Sequence, residues 1–352
     1  MKIGLYGLPT SGKSYILDRI DFMDVKRGSE TLKKIAPDFK QLSEDHQNAI
    51  RKQLASSLSV QSDFIMDGHY SFGEKVVFTE DDGKLYDAIV YLYVDPVVLQ
   101  NRMKISEKNA DYIKYDMAAW QSFEIEELRN YCHLHNKDFY VVDNPPENEF
   151  QPNQVSCVLD FIYDIVHGFS CVNAAKTWTK EILTRCKAEQ LWLLDGDKTV
   201  TTTDTSNFFF GYKTHIFDGN FYTGYQSWRQ SQEFQCFITS DFNIADLQFN
   251  RKVLSEVRMP AYILTTGCSE IWSRLSEELQ IPCFYGREMC ADAKYFVTKF
   301  LQESGKTVVA YGDSMNDYFM LLQANKGYLV RKYDGTISRS LKNRSVKGLN
   351  YV

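Results

Sequence analysis

Short apolar runs that stop on glycine or a polar residue, separated by stretches with helical spacing, limit most strongly what this chain can fold into. In the first half they are KIGLYG (2–7), DFIMDG (63–68), AIVYLYV (88–94) and DFYVVD (138–143). In the second half they are LWLLD (191–195), AYILTT (261–266), TVVAYGD (307–313) and GYLVRK (327–332). Runs that are apolar on both faces suit strands of parallel sheets covered by helices on each side. The expected class is α/β, and 352 residues accommodate two such sheets. The turn-rich NPPENEF (144–150) and the helix-spaced run after it close the first domain, expected over 1–168. Residues 169–188 read as a linker helix, and 189–352 as the second domain.

Composition narrows the partners. A net charge of -6 gives no bulk attraction to nucleic acid or to an anionic membrane. The eight cysteines contain no CxxC pair, which fits reduced, mostly buried thiols better than a disulfide or zinc framework. MKIGLYG leads straight into a strand without a signal-peptide core, and no later run reaches spanning length. The expectation is a cytoplasmic protein with no membrane partner.

The octapeptide GLPTSGKS (7–14) fits the phosphate-loop pattern GxxxxGK[ST], with an apolar strand before it and a helical pattern after it. Gly7 and Gly12 permit a tight loop whose N–H groups, with those of Thr10 and Ser11, point at phosphate oxygens. Lys13 would reach the β- and γ-phosphates of ATP, and Ser14 would ligate Mg²⁺. Asp67 ends a later strand, where an acid can organise the metal or orient a substrate. No guanine-type NKxD signature follows.

In the second half, LLDGDKT ends a strand on Asp195 and Asp197. An ionised aspartate held beside Mg²⁺ can attack phosphorus, and a second carboxylic acid can protonate the leaving oxygen and later activate water. The closeness of two like charges raises one pKa and helps Asp197 keep a proton. Thr265, beside Thr266, ends another strand and suits a phosphoryl oxygen. Lys294 opens a helical pattern and would neutralise Asp195. Gly312, Asp313, Ser314 and Asp317 form an acidic strand end suited to Mg²⁺, with Asp195 and Asp197 as further ligands.

The first half resembles the adenylate kinase-like small P-loop kinases over about residues 1–168. That resemblance implies a lid cation at Arg102, with Lys104, Lys108 and Arg129 as further candidates. It also implies an acceptor site near Asp24, Lys26 and Arg27. The second half resembles the phosphatases of the haloacid dehalogenase superfamily, phosphoserine phosphatase-like branch, on its four motifs across residues 191–317. It implies a Rossmann-like domain with a cap inserted at about 201–258, in which Lys213 and Arg229 would contact an anionic substrate. Together these imply a bifunctional enzyme using ATP and Mg²⁺: a kinase of a small hydroxylated metabolite, nucleoside or nucleotide, joined to a phosphomonoesterase. A polynucleotide 5′-kinase/3′-phosphatase is the first alternative, and a phosphatase gated by a non-catalytic nucleotide-binding domain is the second.

Overall fold

The computed structural model describes residues 1–143, 152–212, 221–235 and 242–352. The chain divides into two compact units, Met1–Phe169 and Ser170–Val352. No single helix among the described residues is long and apolar enough to cross a membrane.

The first unit runs β1 (Lys2–Tyr6), α1 (Lys13–Leu17), β2 (Asp24–Lys26), α2 (Gly28–Ile35), α3 (Glu44–Ser59) and β3 (Phe64–Asp67). A short antiparallel pair, β4 (Ser71–Phe72) and β5 (Lys75–Val76), precedes α4 (Glu80–Leu85). Then come β6 (Ala88–Tyr93), α5 (Pro96–Ile105), α6 (Met117–His135), β7 (Asp138–Asp143) and α7 (Pro152–Val166). The five-stranded sheet has the order β2-β3-β1-β6-β7, parallel throughout. Central β1 has Ile3 and Leu5 fully buried, as expected of a strand with helices on both faces. Aspartates start the helices beyond the sheet: Asp95 Oδ1 accepts from Val97 and Val98 N–H (2.8 and 3.3 Å), and Asp116 does the same for α6. Strand β2 lies outside the apolar runs read from the sequence. It is three residues long and partly exposed, so it carries no apolar signature.

The second unit begins with α8 (Cys171–Arg185), β8 (Gln190–Leu194), α9 (Thr205–Phe210), α10 (Gly224–Phe234), α11 (Arg251–Glu256), β9 (Ala261–Leu264) and α12 (Ser269–Leu279). It continues through β10 (Cys283–Phe284), α13 (Ala291–Glu303), β11 (Thr307–Gly312), α14 (Tyr318–Gln323), β12 (Lys326–Leu329) and β13 (Asn350–Tyr351). Its six-stranded parallel sheet has the order β10-β9-β8-β11-β12-β13. Two-residue β10 and β13 extend its edges beyond the runs visible in the sequence. Helix α8 packs against α13 within this unit, with Val172, Ala175 and Ile182 buried. Read from the sequence as a linker, it is a structural helix of the second unit.

Among the described residues, an isolated antiparallel bridge joins Thr201 to Phe249, near the ends expected of the insert. Thr202 N–H donates to Gln248 O (2.9 Å) and Asn250 N–H to Val200 O (2.8 Å), so the two ends of the insert are tied together. Helices α9 and α10 fall between these ends, and α11 follows them.

Candidate active sites

In the first unit the order of strands puts the loops after β1, β3 and β6 side by side, where parallel sheets bind ligands. Gly7 (φ 145°), Thr10 (φ 65°) and Gly12 (φ 96°) give the loop its left-handed bends. A Cβ at Gly7 would meet Leu92 O and Ser11 Oγ, both at 2.8 Å, so the position is closed to side chains. Lys13 Nζ folds back onto Gly7 O (2.6 Å) and Leu8 O (3.1 Å). Burial pulls its pKa down to about 8 against the opposing pull of Asp67 and Glu124, so an arriving phosphate supplies the negative charge this ammonium lacks. The buried Thr10 Oγ1 has no hydrogen-bond partner. An orphaned hydroxyl and a charge-starved lysine in one loop fit a nucleotide phosphate. Because α1 is only five residues long, the loop's own amides carry this reading more than a helix end does.

Arg102 reaches the loop from α5, donating to Thr10 O (3.2 Å). Asp67 Oδ1 accepts from Gly28 N–H (2.7 Å), which brings the start of α2 to the end of β3. Ser14 is exposed beside the loop. The acceptor-side candidates are otherwise engaged: Arg27 pairs with Asp18, and Asp24 takes the Lys26 ammonium at 2.6 Å. Arg129 is buried with its guanidinium over Phe139, inside the fold rather than at the loop. Two groups escaped the sequence reading. Glu124, 1% exposed, accepts from Ser71 N–H (2.9 Å), Ser71 Oγ (2.7 Å), Trp120 Nε1 (3.1 Å) and Tyr91 OH (3.0 Å). His69 follows Asp67, its Nδ1 buried without a partner and its ring 4.6 Å from that of Phe72.

In the second unit, β8 lies between β9 and β11, and its last residue, Leu194, is in register with Ile263 and Tyr311. That adjacency places Asp195, Thr265 and Asp313 around one point. Lys294 Nζ, fully buried, bridges Asp195 Oδ1 (2.6 Å) and Asp317 Oδ1 (2.7 Å). Asp317 Oδ2 accepts from the N–H of Asp313 and Ser314, both at 3.1 Å, and so fixes the β11 loop. Asp195, Asp313 and Asp317 each present an oxygen within 4.8 Å of the others. Burial, then the Asp317 charge, raises Asp195 to about 6 despite Lys294. Burial, then Asp195, pushes Asp313 well up. Two carboxyls held above their ordinary range, with hard oxygen donors and one ammonium among three acids, fit a divalent cation such as Mg²⁺.

Asp197, expected among the metal ligands, has its carboxylate outside this set. Its Oδ1 accepts from Thr205 N–H (2.8 Å) at the start of α9. Lys198 at φ 62° turns the chain between the two, so the insert rather than the strand holds Asp197. Burial, then Asp204, raises it to about 7, which suits a proton donor near neutral pH. Thr265 Oγ1 accepts from Gly267 N–H (3.0 Å), and Thr266 Oγ1 from Asn316 Nδ2 (2.9 Å). A cavity of about 1490 Å³ opens over these groups. Arg229 stands apart from its lining, with its guanidinium 5.8 Å from the Tyr225 ring. Lys213 lies outside the described residues.

Each half has a structural counterpart of its own. The first half is similar in fold to a shikimate kinase, a P-loop kinase, from Bacteroides thetaiotaomicron. That match covers 47% of this chain and 98% of the other, at 14% identity and TM-score 0.35. The second is similar to a HAD family hydrolase, t0658, from Salmonella enterica subsp. enterica serovar Typhi. It covers 51% of this chain and 75% of the other, at 13% identity and TM-score 0.33. No family model and no curated protein matches the chain.

Proposed function

We propose that the chain carries two opposed phosphoryl-transfer activities, an ATP-dependent kinase in the first unit and a phosphomonoesterase in the second. The observation that carries the second is the bridge Asp195–Lys294–Asp317 beside Asp313, with Asp197 held separately by Thr205. Lys294 occupies one Asp195 oxygen and leaves the other to attack phosphorus. The P–O bond to the leaving group breaks as an aspartyl-phosphate forms on Asp195, and the departing oxygen takes the proton of Asp197. Asp197, now ionised, removes a proton from water, which attacks the same phosphorus and returns Asp195 as a carboxylate. Thr265 holds a phosphoryl oxygen, and the insert around α9 keeps bulk water from the intermediate. A bound Mg²⁺ would be held by Asp195, Asp313 and Asp317 and would offset the charge gathered on the phosphoryl oxygens.

In the first unit the loop 7–14 would bind the triphosphate of ATP with Mg²⁺ at Ser14. Lys13 and Arg102 converge on that loop to steady the transferred group, and Asp67 orients the acceptor hydroxyl. Asp195→Asn is expected to abolish hydrolysis of p-nitrophenyl phosphate in Mg²⁺, and unchanged turnover would remove the nucleophile. Lys13→Met is expected to abolish ATP binding, measured by calorimetry, and binding of ordinary strength would overturn the kinase reading.

A further inference from the structure

The acids of the second site occupy one part of its cavity, and another wall has the opposite character. Arg331, Lys332, Tyr333, Ser338, Ser340 and Tyr351 line it. All but Tyr351 belong to the stretch 331–347, which reads RKYDGTISRSLKNRSVK. Six cations stand there (Arg331, Lys332, Arg339, Lys342, Arg344, Lys347) against one acid (Asp334), a surplus of five in a chain of net charge -6. Among the described residues no carboxylate forms an ion pair with Lys332, Lys342 or Lys347. The one acid is spent locally: Asp334 Oδ1 accepts from Thr336 N–H (2.9 Å) and Thr336 Oγ1 (2.6 Å). With Lys332 N–H on Thr336 O (2.9 Å) and Gly335 N–H on Lys332 O (2.8 Å), this fixes a tight turn. Tyr333 at its tip is fully exposed, at 110%. Arg331 lays its guanidinium 4.0 Å from the Tyr351 ring.

Size gives the second constraint. Sites for small ligands run to roughly 1,000 Å³, and this cavity exceeds that. A small monoester fills the region of Asp195 and leaves the cationic wall without a counter-charge. A substrate with one reacting phosphate and further phosphates beyond it fits both halves.

We propose that the second unit acts on a phosphate monoester at the end of a single-stranded nucleic acid. Arg331 and Lys332 pair with the next backbone phosphates, and a base stacks on Tyr333. The inference rests on the phosphomonoesterase reading above and departs from the small metabolite that the two resemblances imply. Arg331 and Lys332 on the cavity wall offer cations to the phosphates that follow the reacting one, and an exposed ring on a fixed turn is a stacking platform indifferent to base identity. A single strand fits because a paired, stacked base offers no free face to Tyr333.

The test uses the full chain and a fluorescein-labelled deoxyoligonucleotide of about ten nucleotides with a terminal phosphate, a length typical of single-strand sites. Anisotropy with Asp195→Asn measures binding without turnover. Binding is expected to weaken with added salt, and to weaken at least about tenfold in Lys332→Glu and in Tyr333→Ala, as loss of one stacked base predicts. In the chain with Asp195 intact, the ratio of kcat/KM for the oligonucleotide to that for p-nitrophenyl phosphate should fall about tenfold in Lys332→Glu. Lys332 is exposed, so its replacement tests charge without disturbing the Arg331–Tyr351 contact. Hydrolysis of a nucleoside monophosphate as efficient as that of the strand overturns the inference, and so does salt-independent binding. If the aryl phosphate is turned over but the strand does not bind, this inference fails alone. If Asp195→Asn retains aryl phosphate turnover while strand binding responds to Lys332→Glu, the hydrolytic reading fails and the strand site stands.

Discussion

Gly312 shows how tightly the acidic site is built. A Cβ there would lie 2.3 Å from Asp317 Cβ, so Gly312→Ala must displace the carboxylate that anchors both Lys294 and the β11 loop. We expect kcat/KM for p-nitrophenyl phosphate to fall at least about tenfold, with a higher Mg²⁺ concentration needed for half-activity. Asp197 gives a second test at this scale. Asp197→Asn removes the proton donor and leaves the nucleophile, so turnover of an alkyl phosphate should fall by about 10²–10⁴. In kcat/KM, which reports formation of the aspartyl-phosphate alone, the loss should be clearly smaller for p-nitrophenyl phosphate, whose leaving group departs without a proton, and equal losses there would assign Asp197 a structural part. Both acids were legible from their spacing, LLDGDKT, and from the strand before them. The proton role expected of Asp197 was read there too, but the contact that holds it was not, because Thr205 lies eight residues later.

Among the elements, α6 is tied to the first sheet by polar contacts as well as by apolar packing. Glu124 on α6 takes donors from Ser71 on β4, Tyr91 on β6 and Trp120 one turn earlier. Glu124→Ala strands these donors in a buried site, and we expect a loss of about 3 kcal/mol in urea unfolding. Burial raises the Glu124 carboxyl above its ordinary 4.5, outweighing the hydrogen bonds of Ser71 and Tyr91. Between 4.5 and the raised value the folded chain keeps a proton that the unfolded chain has lost, so this group's contribution to stability falls as pH rises through that window. The stability of the wild-type chain relative to Glu124→Gln should therefore be lower at pH 8 than at pH 5. The opposite trend would mean that Glu124 is ionised at no cost. No sequence pattern announces this cluster, since its members sit on three elements joined only by tertiary pairing. Helix α8 makes the same point: its composition is that of a connector, and only its packing on α13 makes it part of the second unit.

For the whole molecule, two compact units predict separable ligand responses. Mg²⁺–ATP should raise the unfolding midpoint of one transition by an amount equivalent to about 2.7 kcal/mol at a hundredfold excess over Kd, and Lys13→Met should abolish that shift. Mg²⁺ alone should shift the other, and Asp313→Asn should abolish that one. Shifts that always move together would contradict the division. The sequence by itself determined the α/β class and the two strand-end motifs, because each is written in a local period or spacing of a few positions. It also contained the cations of 331–347, hidden by averaging charge over the chain. Only the tertiary structure decided that two of these cations, Arg331 and Lys332, line the cavity of Asp195, that Thr205 holds Asp197, and that short β2, β10 and β13 complete the sheets. The physical reason is range: a motif needs only neighbours along the chain, whereas a site is made by strands pairing and loops closing between residues far apart in sequence.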